Sequence, residues 1–244
     1  MARYKAILAY DGTDFSGFQR QAGARTVQAE VEAALQRIGW TGQTIYAAGR
    51  TDAGVHASGQ VLALDMDWGH SPLDLQHALN ANLPHDAAVR AVEEVDEAFH
   101  PRYAAEARRY EYRIFYAPDR DPLQERYAWR LWPVLDSEIL ALCAELFLGT
   151  HDFSAYGTPP KAGGATIRQV ERSEWSFREM GAQYTIEANA FLFRMARRIV
   201  QAQVDAALGR IPVEAIGASL AGEMPEMVGG LAPACGLTLA AVRY

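Results

Sequence analysis

The sequence lacks several residue types and motifs, and each shortage narrows what the chain can do. Only two of its 244 residues are cysteine, Cys143 and Cys235, both in apolar settings, and no CxxC or Cys/His cluster is present. Structural zinc is therefore not expected, and a chain of this length buries enough surface to need neither metals nor disulfides for its core. No GxGxxG, P-loop, GxSxG or HExxH motif occurs, so no nucleotide cofactor is expected. No apolar run approaches membrane-spanning length, and the N-terminus carries no charged region followed by an apolar stretch and cleavage site. A soluble, reducing, cytoplasmic setting without a membrane partner is the expectation. The moderate counts of 20 glycines and 11 prolines, with half the residues apolar, exclude collagen-like, low-complexity and disordered chains. The length suits one large domain or two small ones.

Lysine is nearly absent, with Lys5 and Lys161 against 21 arginines, and acids outnumber bases 30 to 23 for a net charge of −7. An acidic total ordinarily argues against a polyanionic partner. The excess, however, is local. Between Asp65 and Glu97 eight acids face one base, Arg90, and outside that stretch 22 acids balance 22 bases. Arginine supplies planar, bidentate donors suited to phosphates and base edges, although a GC-biased genome favours it equally. The acidic stretch reads most simply as a solvated face.

The order of predicted elements repeats. Residues 3–10 read as a strand ending at Asp11-Gly12, and Thr26 caps a helix whose apolar Val27, Val31, Ala34, Leu35 and Ile38 keep the 3.6 period up to Gly39. Strands follow at about 43–48 and 59–67, then a helix opening on Ser71-Pro72-Leu73-Asp74, then a strand at about 86–95. The second half gives a strand at 110–116, a helix from Asp136 to Gly149, and a loop-rich stretch at 150–165. Strands at 168–179 and 182–189, helices at 191–208 and 212–222, and a strand from 237 complete it. Each half reads β-α-β-β-α-β, the order of a split β-α-β, ferredoxin-like unit. The expected fold is α+β: two tandem ferredoxin-like halves, residues 1–104 and 105–244, forming a continuous mixed, mainly antiparallel sheet with a central active-site cleft.

The most pointed segment is Gly49-Arg50-Thr51-Asp52-Ala53-Gly54-Val55-His56, a loop longer and more polar than a hairpin needs. A tight turn explains Asp52 and Gly54, but not the flanking Arg50 and His56. A loop carboxylate beside an arginine is also a candidate nucleophile or base kept ionised by its neighbour. The helix at 191–208 carries Arg194, Arg197 and Arg198, with Arg194 spaced to meet both others on one face. That face is either simply exposed or directs one guanidinium toward a carboxylate or phosphate. Arg108-Arg109-Tyr110-Glu111-Tyr112-Arg113 interleaves bases and aromatics as a base-stacking platform would. Tyr110 and Tyr112 share a strand face, so a core role for one or both reads equally well. His56, His100 and His151 have no metal-ligand spacing and read as structural or hydrogen-bonding residues.

These motifs together resemble the tRNA pseudouridine synthase A family. Gly49–His56 is similar to its signature. Tyr10-Asp11-Gly12-Thr13, Gly17-Phe18-Gln19-Arg20-Gln21, Thr26-Val27-Gln28, Asn80–Pro84, Ala107–Tyr112, Gly149–Phe153, Asn189-Ala190-Phe191, Met195-Ala196-Arg197 and the closing Gly236…Tyr244 follow in the family's order. Phe18 stands where the family usually has Trp, and Gln201 where Gly is common. The resemblance implies a homodimeric, cofactor-free and metal-free isomerase acting on uridines 38, 39 and 40 in the tRNA anticodon arm. It implies that Asp52 is the nucleophile, Arg197 its partner, Arg50 a basic neighbour that helps extrude the base, and Tyr110 the ring that stacks on the uracil. Phe18, Gln19, Arg20, His56, Arg194 and Arg198 are further substrate-binding candidates. The alternative is a catalytically inert RNA-binding or RNA-folding protein on the same scaffold. A carboxylate-dependent hydrolase lacks an acid partner placed by sequence.

Overall fold

The computed structural model describes residues 1–223 and 229–244. Among these are ten strands, mainly antiparallel, and five α-helices, an α+β fold as expected. They group into two compact units, residues 1–106 with 238–244, and residues 107–237.

The first unit begins with β1 (Ala2–Tyr10), α1 (Val27–Arg37), β2 (Tyr46–Ala47), β3 (His56–Met66), α2 (Pro72–Asn82) and β4 (Ala87–Val95). Strand β1 shows why it is a strand: Tyr4, Ala6, Leu8 and Tyr10 are buried while their neighbours alternate outward. It lies between β4 and β3, antiparallel to both, and β2 pairs the far edge of β3. Helix α1 starts where the Ala29 N–H donates to Thr26 Oγ1 at 3.4 Å and buries Val27, Val31, Ala34 and Leu35. Helix α2 opens on a full capping box, with Ser71 and Asp74 bonded reciprocally and Pro72 at its first position. Loss of such a cap costs about 1 kcal/mol. The order β4-β1-β3-β2 is that of a split β-α-β unit.

The second unit contains β5 (Ala107–Tyr116), β6 (Trp129–Leu131), α3 (Ser137–Glu145), β7 (Gly149–Asp152), β8 (Ile167–Arg178), β9 (Gly181–Ala188), α4 (Met195–Ala207) and α5 (Val213–Leu220). Its strands run β5-β9-β8-β7, with β6 parallel to β5. Its core holds a satisfied polar cluster: the Trp175 Nε1–H donates to Gln203 Oε1 at 2.8 Å, and the Ser173 and Tyr184 hydroxyls meet at 2.6 Å.

Four differences from the sequence reading have physical causes. The last strand, β10 (Leu237–Arg243), pairs in parallel with β3 through Thr238↔His56 and Leu239↔Ala57, so 238–244 complete the first unit, and the division falls at 106/107. Strand β3 begins at His56 because that pairing extends it past Gly59, where a methyl would overlap the Ala240 carbonyl. The short strands β6 and β7 exist only through neighbouring strands that local patterning does not reveal. Helix α4 starts at Met195, four residues later than expected, because Arg194 is left-handed with φ 66°.

Candidate active site

The loop carrying Asp52 joins β2 to β3, and its backbone is tied from several sides within the first unit. The Tyr10 and Thr51 hydroxyls form a buried 2.7 Å hydrogen bond. The Phe18 N–H donates to the Thr51 carbonyl at 3.0 Å and the Gly54 N–H to the Phe15 carbonyl at 3.4 Å. Upstream, the fully buried Gln60 donates from Nε2 to the Gly49 carbonyl at 3.0 Å. Downstream, the Gly12 N–H donates to His56 Nδ1 at 3.0 Å, and Asp11 Oδ1 lies 3.2 Å from the same nitrogen.

Two glycines make the close approaches possible. A methyl on Gly12 would overlap the Val55 carbonyl, and Gly17, with φ 92°, lies against the Thr51–Ala53 backbone. One layer further out, the Asp11 N–H donates to the Asp86 carbonyl. The Asp86 carboxylate takes a bidentate pair from Arg25 at 2.7 and 2.9 Å, which holds it below the usual carboxyl range. Thr51 is buried, whereas Asp52 is half-buried and Arg50 exposed. The loop is thus fixed through its backbone and leaves the two charged side chains reachable.

The remaining N-terminal candidates divide. Gln19 is exposed, as is Arg20, whose guanidinium sits 2.6 Å from Glu32. Glu32 is itself buried and also accepts from Gln28 Nε2 at 2.8 Å and the Ile45 N–H at 3.2 Å. Phe18 and His56, expected at the substrate, are only 3% and 5% exposed. Phe18 packs beside Tyr10, with ring centroids 6.5 Å apart, and His56 holds the Gly12 turn. Their contacts with Tyr10 and with the Gly12 turn link both to the residues that tie the loop.

In the second unit, β5 carries Tyr110 opposite Ile186 of β9. Tyr112 is a core residue: it is 1% exposed, its hydroxyl donates to the Pro233 carbonyl at 2.8 Å, and burial drives its pKa far up. Tyr110, two residues toward the strand start, is half-buried, with Phe191 packed edge-on at 4.8 Å between centroids. The basic residues around it have protein partners. Arg109 pairs with the cross-strand Glu187 at 2.7 Å, Arg108 donates to the Asn189 carbonyl at 2.9 Å, and Arg113 donates to Gln183 Oε1 at 3.2 Å.

Helix α4 buries Met195, Ile199, Val200 and Val204 and turns its arginines away from that core. Arg197 is half-buried, its Nε–H donating to the Ala232 carbonyl at 2.7 Å. Arg198 is half-buried, held below the usual arginine value by desolvation and then by the charge of Arg194. Arg194 is exposed. Gln201 donates to Asp205 Oδ2 at 3.0 Å and lies where a Cβ on Gly230 would meet it at 2.8 Å, so the absent side chain at Gly230 makes room for it.

Among the described residues, no three His, Cys, Asp or Glu side chains converge as metal ligands would. The supporting residues Gln60 and Glu32 belong to none of the motifs above, yet both carry a visible signal in the sequence. Gln60 interrupts the apolar run of β3, and Glu32 sits among the inward residues of α1.

A family model described as tRNA pseudouridine synthase matches residues 6–104 and 143–244, well over half the chain. The chain belongs to the tRNA pseudouridine synthase family. The first matched segment contains Asp52 and the second Arg197, while Tyr110 lies between them. Full-length relatives agree. The chain is 40% identical over 243 residues to a tRNA pseudouridine synthase A of Chloroflexus aurantiacus, covering 98% of this chain and 87% of that one. It is 38% identical to that of Shouchella clausii, covering 100% and 94%, and 35% identical to that of Geobacillus sp. (strain WCH70), covering 99% and 98%. Pseudouridine synthases are isomerases, and tRNA pseudouridine synthesis is the activity that this membership assigns.

Proposed function

We propose that the chain converts uridines 38, 39 and 40 of the tRNA anticodon arm to pseudouridine, with Asp52 as nucleophile. The observation carrying this reading is the Asp52 loop itself, in which hydrogen bonds tie down the Thr51 hydroxyl and the Gly49 carbonyl while Asp52 is half-buried beside exposed Arg50. In the reaction the N1–C1′ bond breaks, the uracil turns, and C5 bonds to C1′. The proton lost at C5 is matched by one gained at N1, so no redox partner is required.

The target must leave its stack, at roughly a few kcal/mol, which a ring such as Tyr110 offsets by stacking on the extruded base. Tyr110 suits that role because it is braced by Phe191 and not sealed in the core like Tyr112. Arg197 is the proposed charge partner of Asp52, a role carried by the family likeness, and its Nε–H donates to the Ala232 carbonyl. Arg50 is the proposed aid to extrusion; Gln19, Arg20, Arg194 and Arg198 are proposed tRNA contacts. The anticodon arm, a homodimeric state and a cytoplasmic setting rest on the family likeness.

The test is to incubate the purified protein with an unmodified tRNA and map pseudouridine by carbodiimide primer extension. Stops at 38, 39 and 40 are expected; modification confined to another arm overturns the site assignment. The inert RNA-binding alternative is not favoured, because family and full-length relatives alike carry the synthase description.

A further inference from the structure

Phe193 and Arg194, at the entrance to α4, both have exposed side chains. Phe193 is 53% exposed, although a large apolar ring gains from burial. Its structural work is done by its backbone, which donates to the Thr158 carbonyl at 3.0 Å in an isolated β-bridge. Gly157 permits that contact, since a Cβ there would lie 2.7 Å from Leu192 Cβ. Arg194 is, among the described residues, the only non-glycine with a positive φ, 66°, where glycine or asparagine would sit without strain. Its guanidinium lies over the Phe193 ring, 4.7 Å from the centroid. Two adjacent residues that each break a local preference, and whose side chains make a stacked pair in solvent, mark a ligand contact more readily than a packing requirement.

The surroundings define the ligand. From Asn189 to Val204 there is no acidic residue, while Arg194, Arg197 and Arg198 are present, so the field favours an anion. The stack is planar, apolar and topped by a guanidinium, which suits an unpaired base with a phosphate beside it. The segment also reaches the Tyr110 ring on β5, because Phe191, two residues before Phe193, packs edge-on against it.

We propose that the Phe193–Arg194 pair is a second stacking platform, taking an unpaired base next to the target uridine while Arg194 engages its phosphate. This rests on the tRNA reading above and adds to it a site for a flanking nucleotide. Because stacking and phosphate contacts respond differently to salt, they can be separated.

The experiment measures binding of an unmodified anticodon stem-loop by anisotropy across a salt series, for wild type, Phe193→Ala, Phe193→Trp, Arg194→Gln and Arg194→Gly. Melting temperature and sedimentation are recorded for each. Phe193→Ala is expected to weaken binding roughly tenfold with an unchanged salt slope, and Phe193→Trp to restore it. Arg194→Gln is expected to weaken binding and lower the log–log salt slope by about one. Arg194→Gly should bind as weakly while melting no lower than wild type, since it relieves the backbone. Wild-type affinity in Phe193→Ala would overturn the platform even if the protein makes pseudouridine. So would a loss of affinity that follows a drop in melting temperature or a change in oligomeric state. A wild-type protein that binds no tRNA would overturn the underlying reading as well.

Discussion

The Asp52 loop and the Arg194 turn hold charged side chains in place by opposite means. Around Asp52 the loop is tied at several points: the Gly49 carbonyl by Gln60, the Thr51 hydroxyl by Tyr10 and its carbonyl by Phe18, the Gly54 N–H by Phe15, and the Gly12 turn by His56. Glycines occupy two of the tightest approaches, so the geometry is relaxed. Arg194 instead keeps a side chain at a backbone conformation that favours glycine, and its guanidinium rests on an exposed ring. Rigidity in the first region comes from satisfied buried polar groups. In the second the left-handed turn is set between the Phe193–Thr158 backbone bond and the start of α4. A group positioned for chemistry suits the first arrangement, and one that meets a large, mobile ligand suits the second.

This contrast can be broken most forcefully at Gly12. Gly12→Ala drives a methyl into the Val55 carbonyl, which is backbone and cannot step aside. It is expected to destabilise by about 3 kcal/mol or more, visible in a urea titration. A cost under about 1 kcal/mol would show that the loop is far looser than its hydrogen bonds indicate.

Tyr10→Phe removes one hydroxyl from the buried pair with Thr51. The expected cost is about 2 kcal/mol of stability, with a larger fall in kcat than in KM, because the loop and not the tRNA surface is disturbed. A rise in KM alone would place Tyr10 at the substrate.

Asp86 gives the loop a pH dependence. Its folded pKa is lowered by hydrogen bonds from Arg25, with burial opposing. The stabilisation is therefore complete above the unfolded value of about 3.9 and disappears as the pH falls through the lower folded value. Asp86→Asn is expected to cost about 1 kcal/mol at neutral pH and to flatten the acid limb of a stability–pH curve. An acid limb as steep as wild type would assign that dependence to other carboxylates.

The smallest effect belongs to Arg194→Gly, which relieves the left-handed backbone. It is expected to stabilise by about 0.5–1 kcal/mol, less the entropy that glycine adds to the unfolded chain. Destabilisation by calorimetry would mean that the Arg194 side chain serves the fold.

What the sequence revealed depended on whether the determinant was local. Thr26, Ser71 and Asp136 cap their helices as read, because capping chemistry is set within four residues. The Asp52 loop stood out because Arg50 and His56 flank it, which a tight turn does not require. The pairing of β10 with β3 joins residues some 180 positions apart, as the Thr238↔His56 pair shows, and no local pattern encodes that choice. The start of α4 was misplaced because apolar periodicity continues through Phe191 and Leu192, while the left-handed Arg194 is a backbone property without a sequence mark. The hydrogen-bonding role read for His56 is seen in its bond with the Gly12 N–H, whereas the burial of Phe18 beside Tyr10 follows from tertiary packing that motif spacing cannot express. The net charge of −7 would by itself have argued against tRNA, yet it arises from residues 65–97 and not from the arginine-bearing entrance to α4.

The most direct test of the central claim is pseudouridine formation by Asp52→Ala on an unmodified tRNA, measured beside its tRNA affinity. Retained binding and stability with no detectable pseudouridine is the expected result. Pseudouridine formed at the wild-type rate would remove Asp52 from the chemistry, and with it the reason for so closely tied a loop.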